Sequence, residues 1–581
     1  MQATFSLPGL AGLALTIGMA VDANVLVFER MREEKERGAG LAQQIRNGFN
    51  RAWITIFDSH VTNFLAAVVL YMVGTEEVKG FALTMMIGMA WNLFTAVFMS
   101  RVIFEYCYSK GWLTKVTMMK LMDKTNFDFI GPRYYCMAGS VILIVLGLIA
   151  TVIRGQGMFN IDFTGGTLVT IRLNEDDPSV KTLSESSRAE FVREKARQLP
   201  DVTVESLRVG NDQRLARFNI RTTDQNPEKV KKVILDAFGP SLARVEMTAS
   251  EGQPIASAAA GEAGKAAAAT TPIRFAGGRQ YQLNFNTTAF NSTETPAKVV
   301  SAEFAKVLKL AQIVNPESRF EITPAPTTEP TGESTAATTT ATRLILRTDL
   351  EPDLAKAQLA RLKESLANNR DLLFERIENF GGTVAGETRT LALIATVASW
   401  LIIIAYLWWR FHSFTYGFAA VLAVIHDVLI TLGIIAVSYW LAMIPGLSTL
   451  LQIDQFKIDL PIVAAFLTLI GFSTNDTVVI FDRIREIKGK TPHLTNKMVN
   501  DAINQTLSRT ILTSFTAWLV VVILYVMGGE GLHGFAFALV VGFLSGTYST
   551  VYIATPILID FVATKEPPAP KGGQVLAAAR S

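Results

Sequence analysis

Two aspartates stand where hydrocarbon should surround them. Asp22 lies within GMAVDANVLVFERMRE (18–33) and Asp476 within GFSTNDTVVIFDRIRE (471–486), each inside an apolar stretch long enough to cross a bilayer. At 1.5 Å per residue, each sits about 9 Å inside the last apolar turn before a charged edge. A charge at such depth costs about 2.5–3.5 kcal/mol on insertion scales, so it points to a function first. Burial between helices favours the protonated carboxyl, and a neighbouring cation favours the ionised one. Arg509 heads a later span, and its movement toward or away from Asp476 would switch that carboxylate between the two forms. That is the chemistry of a proton relay, and one charge dropping through the membrane potential releases about 2.3 kcal/mol per 100 mV. The bland reading is a static Asp–Arg pair that only fixes helix packing.

Supporting polar residues cluster nearby in the sequence. Asn24 follows Asp22, and Asn475 and Thr477 flank Asp476. His426 and Asp427 lie mid-span in AVLAVIHDVLITLG (420–433), where they could relay protons or merely hydrogen-bond across helices. Asp58 and His60 in the second span, near Arg51, are weaker candidates of the same kind. No other chemistry is signposted. The chain has no GxSxG, HExxH or GxxxxGK[ST], and its two cysteines, Cys107 and Cys136, form no CxxC pair. No metal or cofactor site is therefore expected, nor an ATPase or hydrolase site. A net charge of +3 over 581 residues is too small to suggest a nucleic-acid partner.

The elements that must position these charges are membrane helices. Half of the residues are hydrophobic, 18% are charged and the mean hydropathy is +0.30. Nine apolar stretches are expected to span, near 10–28, 54–73, 80–104, 134–154, 390–409, 416–438, 459–481, 510–527 and 532–561. The N-terminal MQATFSLPGLAGLAL has neither a basic n-region nor a small-residue cleavage site, so it is not read as a secretory signal. Lysines and arginines crowd the loops after the first, third, fifth and seventh spans, while the alternate short loops carry only Lys79 and Lys457. The positive-inside rule puts the basic loops in the cytoplasm and residues of about 156–389 on the external side.

The spans also repeat. After each aspartate-bearing segment comes a short basic amphipathic stretch, then a span opening NRAWIT (50–55) or SRTILT (508–513) and closing LYMVG (70–74) or LYVMG (524–528). A third span opens GFALTMMIG (80–88) or GFAFALVVG (534–542), with Gly80, Gly88, Gly534 and Gly542 read as helix-packing positions. Two copies in one orientation predict parallel repeats about an axis along the membrane normal. The register sets Asp22 opposite Asn475 rather than Asp476, so the two carboxylates face about 100° apart on equivalent helices.

The external insert reads as α+β. TLVTIRL (167–173), a helix at 188–198, VTVESLRV (202–209), ARFNIRT (216–222), a helix at 227–238 and a strand near 243–248 give the β-α-β-β-α-β order of a ferredoxin-like unit. A second set runs RQYQLNF (279–285), helix 296–312, RFEIT (319–323), RLILRT (343–348), helix 353–368 and LLFERI (372–377). The expected division is a three-span membrane unit 1–108, a cytoplasmic connector 109–133, a span 134–155, an external ferredoxin-like subdomain 156–249, a flexible linker 250–278, a second α+β subdomain 279–389 with a disordered loop 324–342, a five-span unit 390–562 and a cytoplasmic tail 563–581.

Several of these motifs carry a resemblance. LPGLAGLALTIGMAVDANVLVFERMREE (7–34) resembles the fourth span of SecD, and FNIDFTGGT (159–167) resembles the GIDFxGGT signature after the first span of SecF. RIENFGGTVAGETR (376–389) is similar to the run before the second SecF span, without its proline. GFSTNDTVVIFDRIRE (471–486) and NQTLSRTILTS (504–514) resemble the fourth and fifth SecF spans. The resemblance covers 7–155, 376–562 and the first external subdomain, and it implies a fusion of SecD and SecF with a membrane core like that of resistance-nodulation-division transporters. By the same resemblance, the proton gradient would help draw secretory preproteins from a SecY-type channel after SecA has pushed them in, at the bacterial cytoplasmic (inner) membrane. A separate SecD portion and a YajC-type small subunit become possible partners, beside the lipid bilayer. Asp22, Asp476 and Arg509 match the family's proton-pathway positions. Against twelve spans in the complete family pair, the chain starts at what would be the fourth, as a truncated or split gene would. The segment 250–375 has no counterpart in the family pattern. Two other readings remain open: a proton-coupled exporter of small molecules or lipids, and a membrane scaffold indifferent to the carboxylates.

Overall fold

The structure, a computed structural model, describes residues 7–74, 76–117, 125–174, 176–207, 217–255, 275, 277–285, 295–325, 343–444, 446–491 and 493–563. The chain forms two compact units, residues 1–163 with 386–581, and residues 164–385. The first unit opens with α1 (Leu7–Glu36) and α2 (Leu41–Val73). Next comes α3, Glu76–Leu93 continued through the π-helical Phe94–Met99 into Ser100–Ser109, and then α4 (Arg133–Arg154). The expected span 54–73 is only the inner part of α2. Its basic amphipathic lead-in is the same helix, because residues 41–54 contain no proline and their one glycine, Gly48, packs against Met31 of α1.

The second unit holds two antiparallel sheets. Its elements in order are β1 (Gly166–Arg172), α5 (Glu185–Lys195), β2 (Thr203–Leu207), β3 (Arg217–Thr222), α6 (Pro227–Phe238), β4 (Met247–Ala249), β5 (Gln253–Pro254), β6 (Arg279–Phe285), α7 (Pro296–Leu310), β7 (Phe320–Pro324), β8 (Arg343–Thr348), α8 (Pro352–Asn368) and β9 (Phe374–Phe380). Local signals set the boundaries. Asn226 accepts from the amides of Glu228 and Lys229, Pro227 opens α6, and Gly239 at φ +43° closes it. Val230, Ile234 and Phe238 then line one face and join Val169 and Ile171 in a buried core.

The first sheet has the order β2-β3-β1-β9 and the second β4-β6-β8-β7, with β5 on β6. Each is a ferredoxin-like sheet, but the division at 249 and 279 needs correcting. The strand near 243–248, expected to complete the first sheet, reaches β1 only through the bridge Leu173–Leu242, and β4 pairs with β6. β9, assigned to the second set, closes the first sheet along β1. The second module is inserted between α6 and β9, so the two modules exchange their last strands. The core side chains follow: Phe374 packs with Val169 and Ile171, while Met247 packs with Tyr281, Leu283 and Phe285. Most of the linker (256–274) and of the loop 324–342 (326–342) lie outside the described residues.

The chain returns to the first unit with α9 (Gly382–Phe411), α10 (Phe414–Leu441), α11 (Leu460–Lys488) and α12 (Asn496–Met527). The last helix, α13, runs Glu530–Ser549, through the π-helical Thr550–Ala554, into Thr555–Ala563. Among the described residues nine helices are long and apolar enough to cross a membrane, as expected from the sequence. α4 shows Ile142, Leu143, Val152 and Ile153 on its outer face, a surface suited to lipid tails. Its inner face meets α10 at Gly147 and Gly433, where a Cβ on either glycine would collide with the other's backbone.

The repeat is visible as reciprocal contact. α1 packs on α12 and α11 on α2, so each copy's first helix meets the other copy's second. Arg30 pairs with its own Glu33 at 2.9 Å and reaches Glu486 at 3.8 Å. Arg483, its counterpart, pairs with Glu486 at 2.6 Å and reaches Glu33 at 3.9 Å. Residue i meeting j while the equivalents of each do the same is the mark of a two-fold relation.

The connector residues 125–132 are seated on the N-terminal turns of α12. Asn504 Oδ1 accepts from the Phe127 amide (2.9 Å) and its Nδ2 donates to the Phe127 carbonyl (2.8 Å). One turn away, Asn500 Oδ1 accepts from the amides of Phe129 and Ile130, and its Nδ2 donates to Asp128 Oδ1 at 2.7 Å. The Asn500 amide and the Gly131 N–H hold the Asp128 carboxyl below the usual carboxylate range. A lowered native value means that the carboxylate's share of this anchorage is complete above pH of about 4 and is lost as pH falls further. Hydrogen exchange at Phe129 and Ile130 should show that loss on acidification. Asn500→Ala should cut their protection about tenfold or more at neutral pH. Unchanged protection in that variant would mean that the asparagine does not hold the connector.

Candidate ion-coupling site

α1, α11 and α12 carry the three predicted charges into one place. Asp22 Oδ2 accepts a 2.6 Å hydrogen bond from Asn475 Nδ2, so the two residues that the repeat makes equivalent touch each other. Equivalent residues meet only at a pseudo-two-fold axis, which places this pair in the middle of the bundle. Asp22 Oδ1 lies 3.8 Å from Arg509 Nη2, and Arg509 is buried with 6% of its side chain exposed. Asp476, one residue further round α11, accepts from Ser514 Oγ of α12 at 2.7 Å. The sequence pairs Arg509 with Asp476. In the structure, no ion pair under 4.0 Å joins them among the described residues, and the guanidinium faces Asp22 and Glu29 of α1 instead. The reason is the 100° offset: Asp22 looks across the axis at α12, while Asp476 turns to the hydroxyl one turn beyond Arg509.

Both aspartates open on one small cavity of about 40 Å³. Asp22, Ser473, Asn475, Asp476, Thr513 and Ser514 line its polar side, and Met19, Leu469, Phe472 and Phe543 its apolar side. A water needs about 10–15 Å³ of such space and two or more polar partners, so the cavity can hold a short water chain between the carboxylates. The arrangement can therefore exchange a proton between two acids beside a buried cation, within apolar walls.

A second polar centre adjoins it. Asp427 of α10 is fully buried. It accepts from His426 Nδ1 (3.0 Å), from Ser473 Oγ of α11 (2.6 Å), and from Ser545 and Ser549 Oγ of α13 (2.7 Å each). Among the described residues it has no lysine or arginine within 4.0 Å, and four donors take the place of a cation. Ser473 also lines the cavity, so the two centres share a wall. His426 stacks on Tyr548, and its buried Nε2 has no hydrogen-bond partner among the described residues.

Two supporting residues are not brought to the site. Asn24 Nδ2 donates to the Ala20 carbonyl of its own helix at 3.0 Å. Thr477 Oγ1 bonds the Ser473 carbonyl and meets Thr550 Oγ1 at 3.2 Å, joining α11 to α13 away from Asp476. Asp58 is paired with Arg410 and with Tyr406 Oη (3.0 Å), both of α9, whereas Arg51 pairs with Glu34. His60 Nδ1 contacts the Ile56 carbonyl one turn back at 2.9 Å and Ser59 Oγ at 3.4 Å. Sequence reasoning missed Glu29, Ser514, Ser473, Ser545 and Ser549. The serines carry no signal of their own in apolar helices, but Glu29 lies two turns from Asp22 on one helix and was legible as such.

Proteins of known family match most of this chain. The SecD/SecF protein-export membrane family, C-terminal part, matches residues 1–110 and 361–564, and the SecD/SecF GG motif matches 161–177. The protein translocase subunit SecDF of Brucella abortus is 27% identical over 563 residues, covering 96% of this chain and 54% of its own length. The SecDF of Thermus thermophilus is 29% identical, with 93% and 52% covered. SecF of Koribacter versatilis is 30% identical over 76% of this chain and 93% of its own. The crystal structure of the Thermus SecDF, described as a translocon-associated membrane protein, superposes with a TM-score of 0.60 at 26% identity, covering 96% of this chain and 55% of that one. The chain thus spans about half the length of the SecDF relatives it matches.

Proposed function

The chain belongs to the SecD/SecF protein-export membrane family, and on that footing we propose that it is an accessory subunit of the Sec translocase. It uses the proton motive force to promote export of preproteins across the bacterial cytoplasmic membrane. In this reading residues of about 156–389 lie on the external side, and a SecY-type channel fed by SecA is the partner. A separate SecD portion and a YajC-type subunit would complete the assembly. The observation that carries the proposal is the pair Asp22 and Asp476 on one polar cavity, with Arg509 facing Asp22. Acids so placed load and release a proton, and each neutralisation changes what holds α1, α11 and α12 together.

Export in cells depleted of the chain and complemented with wild type or Asp476→Asn tests the proposal. Uncleaved precursors of several secreted proteins should accumulate with the variant although it is inserted normally. Normal processing in the depleted strain would remove the export reading, and equal rescue by both would leave the carboxylate without a role in it.

A further inference from the structure

Arg509 stands midway between two carboxylates of one helix. Its Nη2 is 3.8 Å from Asp22 Oδ1, and its Nε is 3.8 Å from Glu29 Oε2. Seven residues, or about 10.5 Å along α1, separate the two acids. At these distances neither contact is a closed hydrogen bond. Each acid is held on its other oxygen by a different partner, Asp22 by Asn475 at 2.6 Å and Glu29 by Arg32 at 3.3 Å. Both therefore present one oxygen to the same guanidinium. The remaining charges around Glu29 are Arg30 and Glu33 of its own helix. Asp22 is also faced by Asp476 of α11 and His60 of α2.

We propose that Glu29 is the second anchor of Arg509, taking the guanidinium whenever Asp22 is neutral. The inference rests on the proton-coupling reading of Asp22 and supplies what that reading lacks. A buried arginine whose carboxylate becomes protonated is an uncompensated cation, and such a state is strongly disfavoured unless a second acid is within reach. Glu29 is that acid, and it lies toward the basic cytoplasmic end of α1. The guanidinium then moves along α1 as the proton arrives, closing on Glu29 and leaving Asp22 to Asn475. Glu29 acts through Arg509 and is a positioning residue. The repeat has no working copy of this arrangement, since Arg51, the counterpart of Arg509, is half exposed and paired with Glu34.

Two measurements on the purified full-length chain test the proposal without any translocation. The first is the thermal unfolding of Asp22→Asn, Glu29→Gln, the double variant, and the double variant carrying Arg509→Gln. The double variant should lose about 3–6 °C more than the two single losses combined, and Arg509→Gln should recover most of that excess. Glu29→Asp should behave as wild type in the same cycle. Additive losses would overturn the proposal. So would an excess that Arg509→Gln does not relieve, or one that Arg32→Ala reproduces, since Glu29 would then serve only Arg32. The second measurement stands even where the double variant does not fold. A structure of Asp22→Asn should show Arg509 Nε closed to hydrogen-bond distance on Glu29, and a guanidinium still midway or turned to Asn475 would refute the transfer. A failed export test with Asp476→Asn would leave both results intact, so the two readings fail separately.

Discussion

Arg509→Met should reduce preprotein maturation to that of cells without the chain, the largest functional effect expected here. The substitution keeps the length and apolar stem of the side chain but removes the one cation between Asp22 and Glu29. Breaking a buried charge cluster from one side costs about 3–5 kcal/mol, because the partners are left unpaired. The two acids escape that cost by holding protons, and a carboxyl that keeps its proton cannot hand it on. Arg509→Lys should fall between the two extremes. A guanidinium presents Nε and Nη2 in a fixed fork to two acids at once, and an ammonium can only sit against one. A pulse-chase of precursor and mature forms at matched membrane levels reads the series. Maturation at the wild-type rate with methionine would exclude Arg509 from the coupling.

Asp427→Ala should have the largest effect on the fold. Three serines on α11 and α13, together with His426, converge on this one buried carboxylate from α10. Alanine leaves four donors without their acceptor, at a cost of about 3–5 kcal/mol after partial rearrangement. In detergent the midpoint of unfolding should fall by roughly 4–7 °C. Asp427→Asn should cost much less, because its amide oxygen still accepts and the serine hydroxyls can turn to accept from its NH2 group. A stable Asp427→Ala chain with failed export would reverse the assignment. It would make His426–Asp427 part of the proton path rather than the pin between three helices.

The contrast between these two centres shows how far residue types can be read. A carboxylate in an apolar run is conspicuous, so Asp22, Asp476 and Asp427 were found without a structure, and the repeat register even gave the offset between the first two. Which charge meets which was not legible. The sequence reading sets Arg509 against Asp476, which lies in the same repeat copy, yet the bundle crosses the copies and sets α12 against α1. The serines that hold Asp427 and Asp476 were invisible for a different reason. A hydroxyl in a membrane helix usually bonds its own backbone four residues back, as Thr468 and Thr474 do on α11. Only the facing helix decides otherwise.

The external region divides in the same way. Alternation, caps and turn residues located its helices and all but the weakest strands, since those signals act over a few residues. The exchange of last strands between the two sheets depends on a pairing between β1 and β9 some 200 residues apart, about which local patterning carries no information. By itself, then, the sequence determined nine spans, their repeat, the α+β character of the insert and the presence of ionisable groups at membrane depth. These follow from hydrophobic length, periodicity and the cost of burying charge, all properties of a residue and its near neighbours. The tertiary structure alone decided that Arg509 lies between Asp22 and Glu29, that Asp427 is tied by hydroxyls, and that the external modules trade strands. Each of those depends on which surfaces meet in space, and contact between distant segments is set by packing of the whole unit.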